Sequence, residues 1–580
     1  MKKKLRSRRK APKRIPPPGA KSTPLPTPIR TTSEPKWHGE FDFIIAGFGA
    51  AGAAAAIEAY DLGLNVLIVE RFEGGGASKM SGGVVYGGGG TRQQLAAGFK
   101  DSPEKMLRYM VREVESNPLP GKGNAIDRTG LKAFCDKSKG NLEWLEKLGL
   151  RIPLKFHSGK TNQPPGGFGL YFSGNEKQLA PKGEAVPRGH VPLGTGMSGG
   201  YLFEILRGAV ALRGIPVHTH CRATRVLLDE RGSVTGLEIR DSRLFLLRPF
   251  LWTLHKLGFI SKTARKLLEW VEMNLGRRKL LRARRGVLIA SGGHVYDKAL
   301  FDQYSPAYRG TFPLGTPGDD GSGLRLGLEA GGAMASMDSC AASRFIYPPA
   351  ALVTGMLVNR DGRRFIDESV YGASLSRAIT QQEGRAAWLI IDGRIHQEAA
   401  RQVREHESLR GVPLKSILAG QMNAVLYRRL TSFLNLHVNR RKASTLEDLA
   451  AKCGIPPGSL KLSVEEYREA FLWRQDKAFG KSRDQLAKLA GPPWYAIDCR
   501  IDNLLFPIPC LTMGGLKTHG FTSQVLRENG AAIPGLYAAG RSAAGIFSRS
   551  YVSGFSLADC IYAGRNAASH ASSPTGKDKP

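Results

Sequence analysis

The apolar positions of this chain fall into short continuous runs separated by glycine-rich turns, with stretches of helical period between them. Residues 41–46, FDFIIA, read as a buried strand. The turn GFGAAG follows, and then the Ala-rich run AAAIEAYDLG, which predicts a helix. NVLIVE is the next apolar run and ends at Glu70, completing a βαβ unit of ordinary length. RGIPVHTHCRATRVLLDERGSVTGLEIR predicts short strands punctuated by Pro and Gly. GVLIASGG at 286–293 predicts another buried strand, and residues 316–332 a loop entering a helix. Residues 356–369 suggest a hairpin around Asp361 and Gly362, and 375–490 read as mostly helical and polar. GLYAAG at 535–540 returns to the buried-strand pattern, and residues 556–571 predict a closing helix.

The turn after the first strand carries G-x-G-x-x-G at Gly47, Gly49 and Gly52. The first Gly permits the tight turn and the second lets backbone approach a pyrophosphate. The third lets helix and strand pack closely, and the helix N-terminus faces the phosphate charge. Glu70 ends the next strand 18 residues after Gly52, where a carboxylate meets ribose hydroxyls. Two later segments select FAD over a nicotinamide: GGGASKMSGG at 74–83 and GLYAAGRSAAG at 535–545. A long flavin dinucleotide needs a second glycine-rich strand end. It also needs a helix N-terminus at the pyrimidine, where reduction builds negative charge.

Charge changes the picture little. The formal net charge of +34 suggests nucleic acid at first sight. Residues 1–36 hold twelve Lys/Arg against one Glu, and residues 241–285 hold twelve against three acids. Most of the excess therefore belongs to two appendages, and no specific nucleic-acid partner is expected. The first appendage is basic and Pro-rich, with too little apolar surface to offset ordering, and is expected to be a disordered tail. The seven cysteines make no CxxC and no metal spacing, so no metal site is expected and a reducing cytoplasm fits. No run reaches about 18 apolar residues, so no spanning helix is expected.

Together the pieces GFGAAG, VERFEGGGASKMSGG, GVLIASGG, LVNRDGRRFIDE, LTMGGL and GLYAAGR…SGFSLAD resemble the fumarate reductase/3-ketosteroid dehydrogenase superfamily of flavoproteins. They occur in the family's order and cover nearly the whole chain after residue 40. The resemblance implies an α/β fold: a Rossmann-like FAD-binding domain of the glutathione-reductase type with an inserted α+β cap (catalytic) domain. It divides the chain into a tail (1–38), a first FAD-domain segment (39–293), the cap (294–505), a second FAD-domain segment (506–573) and a short tail (574–580). It implies FAD contacts from Gly47, Gly49, Ala50, Ala51, Gly52, Glu70, Arg71, Ser78, Ser81, Gly82, Gly83, Ala223, Gly292, Gly540, Ser556 and Leu557. Relatives often attach FAD through a His near the first glycine cluster. This cluster has none, so noncovalent FAD is expected.

The stretch GIFSRSYVSGFSLAD separates the branches of the family. Fumarate-reducing relatives resemble it with Arg where Tyr551 stands, His at Phe547, and His-Pro-Thr where this chain reads Tyr347-Pro348-Pro349. A dicarboxylate needs such cationic donors. Tyr551-Val552-Ser553-Gly554 is similar instead to the 3-ketosteroid Δ4-(5α)-dehydrogenases. That likeness implies Tyr551 and Ser553 as the proton-handling pair, assisted by Tyr347. The chemistry it implies is introduction of a C=C bond beside a ketone: a base takes the α-proton, a donor holds the enolate oxygen, and flavin N5 accepts hydride. The relay works if the Tyr551 phenol is lowered by its surroundings. The alternatives are a 3-ketosteroid Δ1-dehydrogenase, a fumarate- or urocanate-type enoate reductase, and a flavin-dependent binding protein without turnover. The implied partners are a small lipophilic ketone such as a steroid, and a quinone or diffusible carrier as electron acceptor. Residues 241–281 interrupt the family pattern with Leu, Phe and Trp among Arg and Lys. Phe245, Leu246, Leu247, Phe250, Leu251, Trp252 and Leu254 form a dense apolar patch. This composition suits a helix pair lying on a membrane surface, packed on the body, or in a dimer contact. The first reading would place a cytoplasmic protein peripherally on the inner membrane face.

Overall fold

The computed structural model describes residues 29–30, 35–116, 127–181, 183–194, 198–243, 248–406 and 424–573. The basic tail therefore lies largely outside the described residues, as do Phe245, Leu246, Leu247 and the 574–580 tail. The N-terminal unit is β1 (Glu40–Ala46), α1 (Ala50–Asp61) and β2 (Val66–Val69). β3 (Val217–His218), β4 (Cys221–Leu228) and β5 (Val234–Asp241) follow. Two helices, α2 (Arg248–Gly258) and α3 (Lys262–Leu275), lead into β6 (Arg277–Ile289). Near the end of the chain come β7 (Ala532–Ala538) and α4 (Phe555–Ser572).

β3, β2, β1, β6 and β7 run parallel in that order. The 13-residue β6 serves two surfaces. Its first half, Arg277–Arg282, pairs antiparallel with β5, while Val287–Ile289 lies between β1 and β7. The run RRKLL, read from sequence as belonging to the insert, is thus part of the strand. Phe43–Ala46 and Val66–Val69 are buried throughout, which is why these runs carry no polar alternation. α1 buries Ala50, Ala51 and Ala53–Ala56. Its small side chains let α4 cross closely: a Cβ on Gly564 would come within 2.4 Å of the Ala51 carbonyl oxygen. This crossing joins the two ends of the chain.

Between β6 and β7 a second core forms. An antiparallel sheet orders Met356–Val358, Trp388–Ile391, Trp494–Asp498 and Arg440–Ala443. Residues 375–490 are mostly helical, as read, but two of these strands, Trp388–Ile391 and Arg440–Ala443, interrupt the helices. WLII is a four-residue apolar run, and periodicity cannot tell so short a run from a buried helix segment. The expected hairpin around Gly362 reduces to one short strand and a bridge between Val358 and Arg364.

α2 and α3 pack on the body through Leu251, Leu254, Ala264, Leu268 and Val271, against Phe72. Phe72 stacks on His255 at a centroid distance of 3.8 Å. No helix among the described residues is long and apolar enough to cross a membrane.

Candidate active site

One cavity of about 550 Å³ runs from the tip of β1 to a group of tyrosines. At its first end Gly47 takes φ +116°, and a Cβ there would meet the Ala290 carbonyl oxygen at 2.4 Å. Gly49 precedes α1, and no side chain caps the helix from that position. Ala50 N–H instead meets Ser78 Oγ at 3.1 Å. Gly52 does not line the cavity. A Cβ there would lie 2.0 Å from the Gly47 carbonyl oxygen, so this Gly holds helix to strand. Ala51, Ser81, Gly82, Gly83 and Ala223 line the walls, with Gly292 and Gly540 further along.

Glu70 accepts the Phe48 N–H at 2.7 Å and the Phe72 N–H at 2.8 Å. The carboxylate braces the glycine turn while bordering the cavity, and burial raises its pKa above the ordinary range. Arg71 also borders the cavity, but its guanidinium is taken by Glu272 at 2.8 Å and Asp320 at 2.7 Å. Glu272 belongs to α3, so the insert is ion-paired to the start of the site. At the far end Gly554 caps α4 in the left-handed region (φ 91°) with no side-chain partner. Ser556 and Leu557 of the first turn of α4 line the cavity. Two helix N-termini that begin at glycine, and glycine-lined walls along one continuous cavity, fit a long dinucleotide such as FAD.

At the tyrosine end, Tyr551 packs against Ala341, Leu511 and Met513. Its ring lies 6.3 Å from that of Tyr371, centroid to centroid. Burial pushes the Tyr551 phenol up to about 12, against a lowering by Arg541. The lowering on which the relay is conditional is therefore not met, and any transfer through Tyr551 must exchange its own proton. Ser553 donates its N–H to the Ser173 carbonyl at 3.2 Å, and its Oγ lies 3.2 Å from Tyr171 Oη. Tyr171 Oη also donates to the Asn162 carbonyl at 3.0 Å. Tyr347 lines the cavity, is fully buried, and its carbonyl accepts from Asn162 Nδ2. It makes no ring contact with Tyr551 among the described residues. Tyr371 was not singled out by sequence. It stands before the helix Gly372–Thr380 and lines the cavity beside Ser343 and Phe345. Burial and the neighbouring Tyr551, Tyr171 and Tyr347 hold its phenol high. The only signal for it was a Tyr two residues after FIDES, and nothing local says which cavity that segment reaches.

Among the described residues three cations line the cavity: Arg71, Arg222 and Arg541. Each is committed, Arg222 to Glu269 at 2.7 Å and Arg541 to Asp319 at 2.8 Å. No histidine or lysine among the described residues lines it.

A dinucleotide cavity on a parallel sheet, closed by tyrosines, defines a flavin-binding oxidoreductase site. A family model described as FAD binding domain matches residues 42–554. The 3-oxo-5-alpha-steroid 4-dehydrogenase of Comamonas testosteroni is 32% identical over 536 residues, covering 88% of this chain and 94% of that protein. A probable fumarate reductase of Shewanella frigidimarina is 25% identical over 540 residues, covering 91% and 75%. The crystal structure of 3-ketosteroid-Δ4-(5α)-dehydrogenase from Rhodococcus jostii RHA1, in complex with 4-androstene-3,17-dione, superposes with a TM-score of 0.76. It is 29% identical and covers 94% of this chain and 100% of that one. The chain belongs to the FAD-binding ketosteroid dehydrogenase/fumarate reductase family, and its cofactor is FAD.

Proposed function

We propose that this protein is a 3-oxo-5α-steroid Δ4-dehydrogenase. The observation that carries the reading is the tyrosine end of the cavity, where Tyr551, Tyr371 and Tyr347 line the wall and the lining cations among the described residues are all ion-paired elsewhere; Lys160 Nζ lies 5.0 Å over the Tyr347 ring but outside that lining. Apolar walls and neutral donors suit a lipophilic ketone, whereas a dicarboxylate needs free cationic donors in the lining itself. We take residues 294–505 as the cap and 39–293 with 506–573 as a glutathione-reductase-type FAD domain. FAD would be held noncovalently by the glycine turn, Glu70, Ser78, Ser81–Gly83, Ala223, Gly292, Gly540 and the first turn of α4. Once bound, it supplies the hydride acceptor beside the substrate's β-carbon.

Tyr551 takes the α-proton. Its phenol is protonated at neutral pH, so it passes its own proton to Ser553 as it accepts the substrate's, and the Tyr–Ser pair delivers that proton to solvent, with Tyr171 Oη 3.2 Å from Ser553 Oγ orienting the serine. Tyr371, facing Tyr551, donates to the carbonyl oxygen on which enolate charge develops. Tyr347 shapes the wall behind it. The electron acceptor is a quinone or diffusible carrier.

The exposed side of the α2–α3 hairpin shows Trp252 (52% exposed), Ile260 (87%) and Trp270 (56%) beside Lys256, Lys262 and Lys266. We read this face as resting on an anionic lipid surface.

The test is turnover. Purified enzyme with a 3-oxo-5α-steroid and an artificial acceptor is expected to yield the Δ4-enone, identified by ultraviolet absorbance and product mass. A Δ1 product from the same incubation would move the assignment to the Δ1-dehydrogenases. Oxidation of reduced viologen by fumarate, without any steroid turnover, would sink it.

A further inference from the structure

Behind the tyrosines lies a buried polar network that does not line the cavity. Asn175 is at its centre and uses all its hydrogen-bonding groups. Its backbone N–H donates to Tyr109 Oη at 3.0 Å. Its Nδ2 donates to Glu113 Oε1 at 2.7 Å and to Ser374 Oγ at 3.1 Å. Its Oδ1 accepts the Tyr371 N–H at 2.6 Å. Glu113 is wholly buried and accepts two further hydroxyls, Tyr109 at 2.8 Å and Ser550 at 3.4 Å. Ser550 precedes Tyr551, and Ser374 lies in the first turn of the helix that follows Tyr371. The segment around Asn175 also presses on the other side of the site. A Cβ on Gly174 would meet Val552 at 2.6 Å, and Ser173 holds the Ser553 N–H. One carboxylate thus ties together two segments almost 180 residues apart in sequence that carry the facing tyrosines.

We propose that Glu113, acting through Asn175 and Ser550, is a positioning residue that sets how Tyr371 and Tyr551 face each other. The inference rests on the tyrosine chemistry proposed above. Glu113 touches neither cavity nor substrate space, so its effect passes through the residues it holds. Its charge matters to that role. An ionised carboxylate accepts from all three donors at once; a protonated one turns an oxygen into a donor and loses a partner. Burial raises its pKa to about 7, with Glu176 reinforcing the rise. The titratable and charged groups facing the cluster are Tyr109, Glu176, Tyr86, Lys160 and Arg188, the last paired with Asp101 at 2.7 Å. Ionisation of Glu113 therefore completes the network as pH rises through neutrality.

The test compares wild type, Glu113→Gln and Ser550→Ala as full-length holoenzymes. Gln offers one acceptor oxygen and one amide, so it cannot satisfy three donors. With full flavin content, Glu113→Gln is expected to lose about 10–100-fold in kcat with KM nearly unchanged. The near-neutral limb of the wild-type pH profile should vanish, and the Tyr371 amide should exchange faster with deuterated solvent. Ser550→Ala should lose several-fold in kcat while keeping that limb. Wild-type kcat, pH profile and Tyr371 exchange in Glu113→Gln overturn the proposal. If Glu113→Gln fails to hold flavin, Ser550→Ala decides, and an unchanged kcat there overturns it. A wild type that oxidises no 3-ketosteroid overturns the reading of the reaction alone. Tyr371 exchange then decides the positioning role, faster exchange in Glu113→Gln supporting it and wild-type exchange overturning it.

Discussion

Tyr551 and Ser553, the pair proposed to handle the proton, both face the cavity because the backbone between them turns toward it. Val552 is buried behind them while both neighbours line it. Burial keeps the Tyr551 phenol protonated, so in the proposed mechanism its hydroxyl gives up a proton as it takes one. Tyr551→Phe is expected to lower kcat by about 10²–10⁴-fold with flavin content unchanged. Steroid turnover with a stoichiometric flavin assay checks this, and wild-type turnover would remove Tyr551 from the mechanism. Elsewhere, Glu329 is a buried carboxylate whose two oxygens have no hydrogen-bond partner among the described residues. Burial raises its pKa to about 8. The folded state then keeps a proton that the unfolded state has lost above its ordinary carboxylate pKa. Its contribution to stability falls as pH rises from about 4.5 toward 8. Glu329→Gln should therefore raise the melting temperature by a few degrees at pH values above 8, with the gain shrinking toward pH 5. A gain equal at both ends of the range would contradict the burial argument.

At the scale of elements, the α2–α3 hairpin has two faces with different work. The inner face is fixed by Leu251, Leu254 and Leu268, by the Phe72–His255 stack, and by Glu272 on Arg71. The outer face leaves large apolar side chains in water beside lysines, with Glu269 already paired to Arg222. Flotation with anionic vesicles is expected to carry the protein, and neutral vesicles much less. Raising salt should weaken the binding as the lysine attraction is screened. The pair Ile260→Ser and Trp270→Ser should abolish it without shifting the melting temperature, because both side chains are solvent-exposed. Equal flotation of wild type and double variant would assign the face to another partner.

At the scale of the molecule, the cavity draws walls from both ends of the chain and from the second core. FAD bound there stabilises all of them together. At a free concentration one hundred times its dissociation constant, FAD adds about 2.7 kcal/mol of stability. Flavin-stripped protein should melt lower than holoenzyme, and the midpoint should climb with added FAD. A midpoint indifferent to FAD would mean that the cavity does not hold it.

The nucleotide half of the site was legible because its requirements are local. Gly47 needs a positive φ, Gly52 must lack a Cβ, and Glu70 must end the neighbouring strand; each is a constraint of a few residues. The insert was legible as a helix pair for the same reason, although its edges were not, because RRKLL reads equally as helix or strand. Tyr371 and the Glu113–Asn175 network were not legible. Their partners lie far away in sequence, and a lone Tyr or Glu carries no mark of what it will face. The sequence by itself determined the flavin-binding βαβ turn and the absence of a cationic Arg at Tyr551. Only the tertiary structure decided which tyrosines meet and how they titrate, because burial and distance are properties of the packed chain.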